Sequence, residues 1–210
     1  DPYSASKGAT ELAIRSFIKS FFPKNGLIRV GIGRAGNVIG GGDWAENRVV
    51  PDCFRSWTKG NEATIHSPNS TRPWQHVLEP LSGYLTLSSA LSQGPEFHGE
   101  PFNFGPPLYQ NHSVKELVDS LSKILPEAKW KVDSISSNSI KESGLLKLNC
   151  EKALDLLGWQ SALTINETLR MTAEWYSSYY KTPSAIRELT ITQIKEYETI
   201  ANKRGFSWAM

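Results

Sequence analysis

Residues 4–36, SASKGATELAIRSFIKSFFPKNGLIRVGIGRAG, decide the fold class of this chain. Leu12, Ile14, Phe17, Ile18 and Phe21 provide an apolar surface at helical spacing, which predicts a helix over 4–22 with Ser4 as its cap. Pro23 and the Asn25–Gly26 pair stop it. Leu27–Gly33 is a short β-branched run ending in glycines and reads as a strand. A helix that leads through a tight turn into a strand is half of a βαβ unit, so the chain reads as α/β. The glycine-dense stretch Gly31–Gly42 is expected to be loop for most of its length.

The rest of the chain continues the mixture. Helices are expected over Val49–Lys59, Leu78–Leu91, Cys150–Leu157, Ile165–Tyr180 and, as an amphipathic tail, Ala185–Lys203. Ser113-x-x-Glu116 is a capping box opening another helix at 114–125. Short strands are expected at Ala63–His66, Trp74–Val77, Phe102–Phe104 and Trp130–Val132, with a turn at Asn69-Ser70-Thr71. The sequence contains no internal repeat and no low-complexity tract.

Composition narrows the function classes. The chain has 210 residues, of which 39% are hydrophobic and 21% charged, which is too apolar for a disordered segment. Its 23 Lys+Arg nearly balance 21 Asp+Glu, and no basic stripe points to nucleic acid. No apolar run approaches the ~20 residues of a membrane span. Cys53 and Cys150 are too few for a disulfide framework, and His66, His76, His98 and His112 are scattered, so no metal site is expected. A reducing cytoplasm is the expected compartment.

Two motifs bear on chemistry. Gly31-Ile32-Gly33-Arg34-Ala35-Gly36 matches Gly-x-Gly-x-x-Gly. A dinucleotide fingerprint must also open a helix whose N-terminus holds the pyrophosphate, and Asn37-Val38-Ile39-Gly40-Gly41-Gly42 cannot do so. Those glycines instead read as places of close backbone approach. Tyr3-x-x-x-Lys7 is the sharper signal, because residues four apart share a helix face. An ammonium beside a phenol favours the phenolate, which can then take a proton from an alcohol as hydride leaves the carbon. Trp44, Trp57 and Trp74 read as core more readily than as base-stacking platforms, and His76 as structural. Glu11, Asp43, Asp52 and Glu79 show no pairing that demands acid–base work.

Tyr3-Ser4-x-Ser6-Lys7 followed by Arg34-x-x-Asn37-x-x-Gly40 resembles the extended short-chain dehydrogenase/reductases that act on nucleotide-diphosphate sugars. Three further segments resemble the CDP-glucose 4,6-dehydratase branch of that family: Arg34–Trp44, Arg48-Val49-Val50-Pro51-Asp52 and Arg72–Pro80. Phe102-Asn103-Phe104-Gly105-Pro106 fits too, and the resemblance runs from residue 1 to about 180.

The resemblance implies NAD as cofactor and CDP-glucose as substrate, converted to CDP-4-keto-6-deoxyglucose. Hydride would leave C4, water would be lost across C5–C6, and hydride would return to C6. It implies Tyr3 and Lys7 as catalytic and cofactor-binding residues, with Arg34 also on the cofactor side. Asn37, Arg48, Arg72 and Asn103 fall where family members contact the sugar nucleotide. A forked guanidinium at Arg72 suits phosphate oxygens.

The implied architecture is the end of a Rossmann-type NAD-binding domain at 1–40, a smaller and mostly helical sugar-nucleotide region at 41–180, and a helical tail at 181–210. A homodimer through the helix 4–22 is expected. The family's glycine-rich phosphate loop precedes the tyrosine, and the sequence opens at the tyrosine motif, so it reads as the C-terminal part of such an enzyme. A related dehydratase or epimerase for another nucleotide, or a chain that only binds or packs, are the alternatives.

Overall fold

A computed structural model describes residues 1–125, 127–133 and 146–209. In chain order the elements are α1 (Pro2–Phe21), β1 (Ile32–Ala35), β2 (Val38–Ile39), α2 (Val49–Trp57), β3 (Ala63–Ile65), β4 (Thr71–Arg72) and β5 (Gln75–His76). Then come α3 (Leu78–Gln93), β6 (Pro101–Phe104), β7 (His112–Ser113), α4 (Val114–Ile124), β8 (Trp130–Val132), α5 (Glu151–Leu157), α6 (Ile165–Lys181) and α7 (Ile186–Lys203). The α/β expectation holds. Three strand pairs are parallel, β1–β6, β2–β5 and β3–β8, while β4–β7 is antiparallel.

Several elements differ from the sequence reading, the main ones for physical reasons. α1 begins earlier because Asp1, not Ser4, is its cap. The Asp1 carboxylate accepts from Ser4 N at 2.9 Å, and Pro2 suits the first turn because its missing N–H would have no partner there. β1 begins at Ile32 rather than Leu27, because its partner β6 runs alongside only from Ile32↔Pro101 to Ala35↔Phe104. Leu27 and Ile28 are exposed. The stretch Gly31–Gly42 is not mainly loop: it contains β1 and β2, and the turn expected at Thr71 begins β4. These pairings depend on neighbours distant in sequence, which local propensity does not register.

Helices α2, α4 and α6 pack on the β2–β5 pair through Ile39, Val50, Phe54, Trp74, Leu117, Leu121, Leu169, Ala173 and Tyr176. The Ser113–Glu116 capping box is present at the start of α4, and a second one, Thr164–Glu167, opens α6. Phe102 and Phe104 of β6 join Leu87, Ala153 and Trp159 in a second cluster beneath α3 and α5. Gly83 is required there, because a Cβ would stand 2.3 Å from Phe104 Cδ1. Tyr197 and Ala201 dock α7 onto Met171, Ala162 and Leu163.

Trp74 is core as expected, and Trp57 Nε1 donates to the Lys129 carbonyl at 2.7 Å. Trp44 is instead 41% exposed, set against Trp175, Tyr176 and Tyr179. By contrast α1 buries no side chain, leaving Leu12, Phe17 and Phe21 exposed. Among the described residues no helix is long and apolar enough to cross a membrane.

Candidate active site

Tyr3 and Lys7 stand one turn apart on α1, with Lys7 Nζ 5.3 Å from the Tyr3 ring centroid. Both are exposed, Tyr3 at 71%. One further turn along the same face lies Glu11. Arg34 of β1 grips the Glu11 carboxylate with both arms of its fork, Nε to Oε1 at 2.5 Å and Nη2 to Oε2 at 2.6 Å. Hydrogen bonding to Arg34 holds the Glu11 carboxyl below the usual carboxylate range, and Arg34 is raised in turn.

This pair ties the middle of α1 to the sheet. The C-terminal end is held by His98, whose Nδ1 accepts from Val30 N at 3.1 Å. That contact leaves Nε2 to donate to the Phe22 carbonyl at 2.8 Å.

Three more of the expected site residues, Asn103, Asn37 and Arg72, lie on or beside the strands. Arg34 and Asn103 are paired neighbours on β1 and β6. At the end of β6 the Phe104 carbonyl accepts from Gly36 N at 3.3 Å and Gln75 Nε2 at 2.9 Å. Gln75 N donates to the Asn37 carbonyl at 3.0 Å, so Asn37 sits at the head of the β2–β5 pair. Arg72 lies on β4 opposite His112, and Trp74 N donates to its carbonyl at 3.0 Å. It is 6% exposed, and its Nη1 donates to the Thr71 carbonyl. A guanidinium so deeply set is desolvated, which strengthens its attraction for an anion. Asn103 donates from Nδ2 to the Asn149 carbonyl at 2.9 Å, while its Oδ1 is buried without a partner among the described residues.

Arg48 stands apart from this group. It precedes α2, is largely exposed, and bonds Asp43 at 3.3 Å. Of the acidic residues, Glu11, Asp43 and Asp52 pair with Arg34, Arg48 and Arg55. Glu79 is buried, and among the described residues no cation bonds it directly. It accepts from Ala162 N, Leu163 N and Tyr197 Oη at 2.6–2.9 Å, and burial pushes it up to about 7. Nothing in the sequence near Glu79 signalled Tyr197, 118 positions on. Nothing in the sequence near Glu11 signalled Arg34 either, twenty-three positions on.

His76 is structural, 3% exposed and pushed down to about 4 by burial. Burial likewise pushes Cys53 up to about 12 and Cys150 to about 11, so neither thiol is a ready nucleophile. Among the described residues no three His, Cys, Asp or Glu converge to hold a metal ion.

No protein-family model matches the chain. A curated CDP-glucose 4,6-dehydratase from Salmonella typhimurium is 41% identical over 187 residues, 86% of this chain and 51% of that protein. Among solved structures, UDP-glucuronic acid 4-epimerase from Bacillus cereus, in complex with UDP-glucuronic acid and NAD, superposes with a TM-score of 0.71 at 19% identity, over 86% of this chain and 54% of its own. dTDP-glucose 4,6-dehydratase from Bacillus anthracis, in complex with NAD, gives 0.65 at 18% identity, over 87% and 55%. The chain spans about half the length of the relatives it matches.

Proposed function

This chain is a member of the extended short-chain dehydrogenase/reductases and a relative of CDP-glucose 4,6-dehydratase, and from that premise we propose that it serves an NAD-dependent dehydration of CDP-glucose to CDP-4-keto-6-deoxyglucose. The observation that carries the reading is the Tyr3–Lys7 pair, one turn apart and open to solvent on α1.

Each residue has a role that its chemistry supports. Tyr3 Oη takes the proton of the sugar C4 hydroxyl, and the Lys7 ammonium stands over the same ring. Arg72 grips the diphosphate, with Asn37 beside it and the exposed Arg48 reaching it from the loop before α2. Asn103 Oδ1, without a partner among the described residues, accepts a hydroxyl of the sugar nucleotide.

The residues present fit one end of NAD. Lys7 offers three donors, suited to ribose hydroxyls beside the nicotinamide, and Tyr3 and Lys7 are open to solvent. The pyrophosphate end needs a glycine loop opening a helix, and Gly31–Gly36 leads instead into β2. When bound, NAD supplies the hydride acceptor and donor. The exposed Leu12, Phe17 and Phe21 support a homodimer through α1.

A panel of CDP-, dTDP-, UDP- and GDP-glucose offered to the whole protein with NAD⁺ tests the substrate. Loss of water from CDP-glucose, seen by mass spectrometry, is expected. Conversion of another nucleotide sugar at unchanged mass would favour an epimerase, and no conversion of any would favour a binding role.

A further inference from the structure

Glu11 lies four residues from Lys7 on one side and four from Arg15 on the other. A half-buried carboxylate so placed can pair with the lysine or the arginine of its own helix. Here it does neither. Its two oxygens are taken by the fork of Arg34, a residue of β1 twenty-three positions away. Among the described residues no carboxylate bonds Lys7, whose ammonium stands over the Tyr3 ring instead. The charged groups that act on Glu11 are Arg34 of β1, by direct bonds, and Arg15 of α1, through space, while Lys7 lies one turn before it on the same helix.

We propose that Arg34 is a positioning residue for the Tyr3–Lys7 pair: by holding both oxygens of Glu11 it keeps that carboxylate from drawing Lys7 away from Tyr3. This inference rests on Tyr3 and Lys7 acting as proposed above. It gives Arg34 a role through Glu11 rather than through direct contact with the cofactor. The fork is essential to it, because a lysine at 34 would engage one oxygen as a point charge and leave the other to Lys7. Glu11, Ile14 and Ile18 are only half-buried, so the packing of α1 leaves room for a local rearrangement of these charges.

A charge cycle in the whole protein tests the inference. Arg34→Gln releases Glu11 and is expected to lower kcat roughly tenfold with KM for CDP-glucose unchanged, a fraction of the 10²–10⁴ carried by a general base. Glu11→Gln has nothing to release and keeps kcat. The double variant Arg34→Gln/Glu11→Gln recovers the kcat of Glu11→Gln. A tie that merely anchored the helix would make the two single variants equally impaired and the double no better. An Arg34 that touched the cofactor would leave the double as impaired as Arg34→Gln. Either pattern overturns the proposal.

Side-chain NMR supplies a readout independent of turnover. In Arg34→Gln the Lys7 ammonium resonance is expected to follow the titration of the Glu11 carboxyl, whereas in the unaltered protein it does not. Glu11 settling on Arg15, with Lys7 unaffected, would overturn the proposal even if Tyr3 proved essential. A fully active Tyr3→Phe enzyme would instead overturn the functional reading while leaving the NMR result standing.

Discussion

Glu79→Gln tests how the C-terminal helix is fastened to the body. The Glu79 carboxyl of α3 is 1% exposed and bound to two backbone amides and the Tyr197 phenol of α7. Burial pushes it up to about 7 from 4.5, and the hydrogen bonds from Leu163, Ala162 and Tyr197, with the more distant Arg204, offset only part of that. The folded protein therefore binds this proton more tightly than the unfolded chain does. Its contribution to stability is fully present below pH 4.5, declines as pH rises from there through about 7, and is level above.

A shift of this size corresponds to about 3 kcal/mol, at 1.36 kcal/mol per unit. The network accepts either state. Tyr197 Oη lies 2.9 Å from Ser82 Oγ, so once Glu79 is protonated the phenol accepts from it and donates onward. Urea unfolding of both proteins between pH 4 and 8 reads the difference directly. The native protein should lose ~3 kcal/mol relative to Glu79→Gln across that range. A difference that stays flat, or that grows with pH, would refute the reasoning.

Other outcomes follow from single sites. Arg72→Ala should weaken binding of CDP-glucose to the whole protein by roughly 1.5–3 kcal/mol, read by calorimetric titration, because it removes hydrogen bonds to a charged group. Gly41→Ala should lower the unfolding midpoint, at a cost of about 1–3 kcal/mol, because its Cβ would stand 1.9 Å from Trp175 Cδ2 and force the ring aside. Asn103→Ala should raise KM for the sugar nucleotide and leave the unfolding midpoint nearly unchanged, since its Oδ1 has no partner among the described residues and its Nδ2 holds one carbonyl.

Much of this was legible in the sequence because the signals are local. The period of Leu12–Phe21, the capping box at Ser113 and the four-residue step from Tyr3 to Lys7 depend on neighbours within a turn or two, and each reappears in the structure. What was misread depends on distant partners. β1 is set by β6, some seventy positions later, so Leu27–Gly31 failed to join it despite a strand-like composition. Thr71 and Arg72 gain strand character from His112 and Ser113.

The charges divide the same way. Glu79 shows no pairing in the sequence, since its partners Ala162, Leu163 and Tyr197 arrive from two later segments. Arg34 was assigned to the cofactor by resemblance, and its bond to Glu11 emerges only once α1 lies beside β1.

The role of Tyr3 is tested most directly by running the reaction of the whole protein in D₂O, with the product read by NMR. Dehydration across C5–C6 removes the C5 proton and replaces it from solvent, whereas epimerisation at C4 leaves C5 untouched. The expected result is CDP-4-keto-6-deoxyglucose carrying solvent deuterium at C5, formed by the native protein and 10²–10⁴ times more slowly by a folded Tyr3→Phe variant. Deuterated product formed by Tyr3→Phe at the native rate would contradict the assignment of Tyr3 as the base.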